Sequence, residues 1–224
     1  MEEVKIIFED KEVLVVEKPA FMTTTKEKKE EKGTLEDFLR EFRPNDLPRN
    51  GIVHRLDKGT SGLVMMAKTE ESFLGLKKQF KERTLIKQYY CLVGGDVSFE
   101  GEINMPIDRS KYVFAKFGVS VDGKKALTEF RVIKKYKKEE KIYSLLSINL
   151  KTGRTHQIRV HLSYLRWPLV GDRVYGGEVI DDLKRPFLHA FKIVFEHPTS
   201  GQKINLEIDL PNDLKEVLKN YEEQ

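Results

Sequence analysis

Asp57 is where an argument for chemistry can begin. The stretch GIVHRLDKGTSGLVMMAK at 51–68 places this one carboxylate between Arg55 and Lys58, with His54, Thr60 and Ser61 close by. A carboxylate held beside a reacting carbon can attack it or take a proton from a neighbouring one. The same residues would also make an ordinary turn, with Asp57-Lys58-Gly59 as turn formers and Arg55 in a surface ion pair. Two apolar runs, Gly51–Val53 and Leu63–Ala67, enclose the loop and read as buried strand segments. Glycines 51, 59 and 62 permit sharp backbone turns around it.

Other residues with chemical potential lie further along. In KQYYCLV at 87–93, strand alternation puts Lys87, Tyr89 and Cys91 on one face and Gln88, Tyr90 and Leu92 on the other. For Tyr89 the plain alternative is strand packing. KTGRTHQIRVHLSYL at 151–165 reads as a turn into a helix carrying Ile158, Leu162 and Leu165, stopped by Pro168. His156 and His161 are five apart, roughly 140° around a helix, and so share no metal-binding face. Asp57, Asp108 and Asp172 could serve a metal nuclease, but three scattered aspartates form no motif. There is no Walker A loop, no G-x-G-x-x-G and no G-x-S-x-G; Gly59-Thr60-Ser61-Gly62 has the wrong register for the last.

Composition sets the elements that must position these groups. The chain has 224 residues, 39% hydrophobic and 34% charged, enough apolar material for a sizeable core. A net charge of +4 is compatible with a nucleic-acid partner without requiring one. Cys91 is the single cysteine, which precludes an internal disulfide and suits a reducing compartment. The start shows no signal peptide, and no apolar run approaches the roughly 20 residues needed to span a bilayer. A cytoplasmic protein is expected.

Strands are expected at Val4–Phe8, Val13–Val16, Leu85–Gly94, Phe187–Phe195 and Ile204–Ile208, with a hairpin of Leu127–Tyr136 and Ile142–Leu150. The lysines at the hairpin tip could touch phosphates or simply face solvent. Helices are expected after Thr34, with Asp37 completing a capping box, after Thr69, and after Asn212 as a cap. Lys26–Lys32 is a mixed charge run, most simply a solvated loop. The pattern implies an α+β fold, a single domain over 1–224 on a mixed, largely antiparallel sheet with flanking helices.

HRLDKGTSGL at 54–63, KQYYCLV at 87–93, GRTHQIRVHL at 153–162, PLVGDRVYGG at 168–177 and FLHAFKIVFEHPTSG at 187–201 occur in one order. Together they resemble the RluA-type pseudouridine synthase family over nearly the whole chain. The resemblance implies an enzyme without cofactor or metal that flips a uridine out of structured ribosomal or transfer RNA. It would cleave the N1–C1′ bond and rejoin the uracil through C5. Asp57 matches the family's essential aspartate, Tyr89 its tyrosine, and Arg154 the arginine that pairs with the acid. Arg55 matches the arginine that fills the gap left by the flipped base. His54, His156, Gln157, Arg159 and Leu188 would shape the pocket and the RNA path. Relatives often carry Lys-Pro-Ala-Gly followed by a histidine where this chain has Lys18-Pro19-Ala20-Phe21-Met22-Thr23-Thr24-Thr25, and Gly59 stands where an aspartate is frequent. The resemblance also implies a monomer without an N-terminal S4 domain. A non-catalytic RNA-binding protein of the same fold is the competing reading.

Overall fold

The computed structural model describes residues 3–26, 31–110, 116–180 and 183–224. Most of the charge run at 26–32 therefore lies outside the described residues. In chain order come β1 (Lys5–Glu9), β2 (Val13–Lys18), α1 (Leu35–Phe42), a 3₁₀ turn (Pro48–Gly51), β3 (Ser61–Ala67), α2 (Glu70–Glu82) and β4 (Ile86–Gly94). Next are β5 (Gly101–Asn104), β6 (Ile107–Arg109), β7 (Phe117–Val119), β8 (Leu127–Lys138), β9 (Lys141–Leu150) and α3 (Gln157–Tyr164). The last are β10 (Leu188–Glu196), β11 (Lys203–Glu207), α4 (Asn212–Lys219) and β12 (Glu222–Glu223). The α+β class expected from the pattern is what forms. The chain gathers into two compact units, Met1–Ile86 with Ala190–Ile208, and Lys87–His189 with Asp209–Gln224. No helix among the described residues is long and apolar enough to cross a membrane.

In the first unit the strand order is β1-β2-β3-β10, with β11 antiparallel to β10. Val13–Val16 and every residue of β3 are buried, which explains why these strands read as unbroken apolar runs rather than alternating ones. Val13, Val15, Leu63, Met65, Ile193 and Phe195 share a core with Leu76 of α2. Both expected helix starts are real: Thr34 with Asp37 and Thr69 with Ser72 form capping boxes, each satisfying otherwise orphaned amides. Gly62 has φ 121°, and a side-chain carbon there would overlap the Ala190 backbone. Lys18 does end β2, as the following proline requires.

The Gly51–Val53 strand is not formed. Its place is taken by the 3₁₀ turn, and only Ile52 bridges to Met66. Arg49 and Asn50 are left-handed at φ 55° and 49°, a conformation asparagine tolerates better than most residues. The fully buried Asn50 side chain locks that path, accepting from Asn45 N and donating to Arg43 O.

In the second unit β4, β9, β8 and β12 pair antiparallel in that order, and β5 joins β8. Leu92, Tyr143, Leu145, Val170 and Phe187 pack with Leu214, Val217 and Tyr221. The β8–β9 hairpin extends further than expected, to a two-residue turn with Glu139 at φ 54°. Its basic tip is largely charge-paired, through Lys134–Glu223, Lys135–Asp96, Lys137–Glu140 and Lys141–Glu178. Local backbone sets the helix boundaries, and one of them, at Asn212, differs from expectation. α3 starts only at Gln157, because His156 is left-handed at φ 55°. It ends before Pro168, where Arg166 turns left-handed at φ 65° and Trp167 N returns to Leu162 O. Asn212 is the first residue of α4, behind Pro211, and caps nothing.

Candidate active site

In the first unit the 54–60 loop is supported at both ends. Val53 N donates to Met65 O at 3.3 Å, and Met65 N donates to His54 Nε2 at 3.1 Å. An imidazole nitrogen that accepts carries no proton, so His54 is held neutral with its hydrogen on Nδ1. Its ring lies 5.0 Å from that of Phe80 on α2. His54 therefore serves the frame of the loop.

The residue before the acid is anchored by one hydroxyl. Thr24 Oγ1 donates to Leu56 O at 2.8 Å and accepts from Leu56 N at 3.1 Å, with both residues buried. Thr23 O and Thr24 O also receive Leu35 N and Glu36 N, two of the free amides that begin α1. Thr60 N donates to Asp57 O at 3.0 Å, closing a turn across Lys58 and Gly59. Asp57 is half-buried there and Arg55 is exposed. The turn is real, and it is also what holds up the carboxylate.

Upstream, residues 18–25 form a tight loop around a buried lysine. Lys18 Nζ donates to Pro19 O and Met22 O, each at 2.8 Å. Between those carbonyls Phe21 sits at φ 65° with 52% of its surface exposed. A left-handed phenylalanine costs about 1–2 kcal/mol relative to glycine in the same place.

In the second unit Tyr89 lies on β4 opposite Ile148 of β9, 6% exposed. Arg154 lies on the turn before α3, and its Nε donates to Lys125 O at 3.0 Å. That turn is held by Gln157, which is 2% exposed. Gln157 Oε1 accepts from Thr152 Oγ1 at 2.7 Å and from Arg154 N at 3.0 Å. Its Nε2 donates to Leu127 O at 3.0 Å and Thr128 Oγ1 at 2.9 Å. All four hydrogen-bonding positions of the amide are used inside the protein, so Gln157 positions this turn.

The chain of bonds continues inward. Thr128 Oγ1 meets His161 Nδ1 at 2.9 Å, and His161 Nε2 meets Met105 O at 2.9 Å. The carbonyl can only accept, so His161 carries its proton on Nε2, and burial holds its pKa below the usual value.

Arg159 is likewise a support, 8% exposed and bidentate to Asp172 at 2.6 and 2.9 Å, with its guanidinium 4.9 Å from the Tyr175 ring centre. That pair also occupies one of the three aspartates considered for a metal. Among the described residues no group of three His, Cys, Asp or Glu could hold a metal ion. His156 Nδ1 lies 3.0 Å from Tyr175 Oη, and its ring meets Phe117 edge-on at 5.7 Å. Leu188, 4% exposed, opens β10, and its carbonyl accepts from the buried Arg185. Burial pushes the Cys91 thiol well up, leaving it unreactive.

Sequence reasoning missed Thr24, Thr128, Thr152 and Tyr175. Threonine and tyrosine in strands and turns carry no signal of this kind, since only the fold decides what their hydroxyls meet.

A family model described as RNA pseudouridylate synthase matches residues 12–164. The chain is 38% identical over 225 residues to ribosomal large subunit pseudouridine synthase D of Nitrosomonas europaea, covering 96% of this chain and 64% of that protein. It is 38% identical to the uncharacterized RNA pseudouridine synthase YlyB of Bacillus subtilis, covering 96% and 72%. Among solved structures, human RNA pseudouridylate synthase domain containing 1 superimposes with a TM-score of 0.80 at 27% identity, covering 100% of this chain and 89% of that one.

Proposed function

Because this chain belongs to the RNA pseudouridylate synthase family, we propose that it isomerises uridine to pseudouridine in structured RNA, with ribosomal RNA the first substrate to test. Transfer RNA is the second. The observation that carries the reading is the Asp57 turn, anchored through Thr24 to Leu56 and closed by Thr60. Such a mounting suits a carboxylate that must meet one sugar carbon in one orientation.

The reaction breaks the N1–C1′ bond, turns the uracil, and forms C5–C1′, while C5 loses a proton and N1 gains one. Atoms and electrons balance, so nothing is consumed. Asp57 acts at the sugar, as nucleophile toward C1′ or as base toward the 2′ proton. Tyr89 supplies a ring to stack on the uracil and a hydroxyl for proton transfer at C5. Arg154 pairs with the acid, and Arg55 fills the space the uridine leaves. Flipping the base costs a few kcal/mol, which a stacking guanidinium offsets in part.

Asp57→Asn tests the reading against a binding protein of the same fold. The parent should convert uridine in deproteinised ribosomal RNA, and the variant should bind that RNA as tightly yet give no product. Product formation at the parent's rate would refute the assignment.

A further inference from the structure

The loop at 18–25 has the build of a rigid mount for an aromatic ring. Its base is fixed by Lys18, whose ammonium group is bonded inside the loop to Pro19 O and Met22 O. Its far end is fixed by Thr24, bonded to both backbone groups of Leu56, the neighbour of Asp57. Thr25 is 3% exposed, so the chain is buried again immediately beyond. Between these anchors Phe21 is left-handed at φ 65°, where glycine would be free of strain, and it leaves 52% of its surface in water. The side chain thus contributes little to the core while straining the backbone, a combination that points to a task outside the fold.

We propose that Phe21 is an RNA-binding residue that stacks on a nucleobase flanking the target uridine. This rests on the reading of the chain as an RNA pseudouridine synthase. Three features favour a base as the occupant. The ring is presented on a fixed backbone, so little freedom remains to be lost on binding. Phe21 lies at most about 11 Å along the chain from Thr24, and Thr24 touches the residue before the acid, which puts the ring near the site of reaction. The exposed Arg55 belongs to the same anchored loop as Asp57, so a cation accompanies the ring. Extruding a uridine leaves its neighbours unstacked, and unstacked bases are what aromatic side chains take up in RNA recognition.

The test compares the full-length parent with Phe21→Gly and Phe21→Trp, using deproteinised ribosomal RNA as the probe. Phe21→Gly relieves the left-handed strain, so its melting temperature should equal or exceed the parent's. Its RNA dissociation constant at 0.15 M salt should nevertheless rise roughly 5- to 150-fold, the range of one lost base–aromatic stack. The slope of log Kd against log salt should stay unchanged, because no phosphate contact is removed. Phe21→Trp should bind within threefold of the parent. A Phe21→Gly variant that binds within twofold of the parent overturns the proposal. So does a variant whose weakened binding comes with a lowered melting temperature. Product formation by the parent is scored separately, so an inactive parent refutes the enzymatic reading while the binding titration still decides Phe21.

Discussion

Replacing Gln157 with methionine should loosen the turn that carries Arg154, lowering both stability and turnover. Methionine matches glutamine in length and shape, so the change removes hydrogen bonds without opening a large cavity. Four bonds are lost, but three of the groups left behind keep another partner. Leu127 O still receives Lys151 N, Thr152 Oγ1 still receives Leu127 N, and Thr128 Oγ1 still meets His161. Each of those losses costs about 1 kcal/mol, whereas the stranded Arg154 amide costs about 1–3 kcal/mol. The total is about 4–6 kcal/mol. At 2–4 °C per kcal/mol for a chain of this size, the melting temperature should fall on the order of 10–20 °C. A shift of about 1 Å in the Arg154 backbone is enough to slow chemistry about 100-fold. Single-turnover pseudouridine formation, measured well below the new melting point and at saturating RNA, reads the second effect. A melting temperature within 2 °C of the parent's and a rate within threefold would refute the reasoning.

Two further outcomes follow from burial. His189 is fully buried, and desolvation, followed by the nearby Arg185 charge, lowers its pKa from 6.5 to about 4. Between those values the unfolded chain takes up a proton that the folded chain refuses, so stability is complete above pH 6.5 and declines as pH falls toward 4. The gap amounts to roughly 3 kcal/mol. Urea titrations of His189→Asn across pH 4 to 7 should show a flatter profile than the parent, and an equally steep one would count against a neutral buried imidazole. Gly62→Ala must place a methyl group onto the Ala190 backbone at a φ of 121°. It should cost more than about 3 kcal/mol and yield insoluble protein, whereas a soluble variant melting near the parent would mean that β3 and β10 can separate there.

The strands and helix caps were legible because their signals are local. Val13–Val16 and Leu63–Ala67 are apolar without interruption since both faces are covered, and Thr34 and Thr69 satisfy amides three residues away. Gly51–Val53 misled for the same reason: its apolar residues are buried, but by a turn that the Asn45 and Asn50 side chains impose from outside the run. The supports of the Arg154 turn were hidden by α3 itself. Gln157 to Leu162 are all buried, so the helix has no polar face over that span, and periodicity cannot separate an inward glutamine from an outward one. Asp57 and Arg154 could be singled out by motif. What holds them in place depends on hydroxyls whose partners lie some 30 residues away, as Thr24 and Leu56 do.

The division of the chain into Met1–Ile86 with Ala190–Ile208, and Lys87–His189 with Asp209–Gln224, bears on how the protein is made. A nascent chain emerging from the ribosome to residue 189 has every strand of the first unit's N-terminal part but lacks Ile193 and Phe195, which belong to its core. The second unit, whose segments alternate with those of the first along the chain, must in turn wait for Leu214, Val217 and Tyr221. The first core is completed only by residues 190–208, and the second only by residues 209–224. A chain truncated before residue 190 would lack part of both cores. Such truncation would leave apolar strand surface of both units uncovered at once, which favours aggregation.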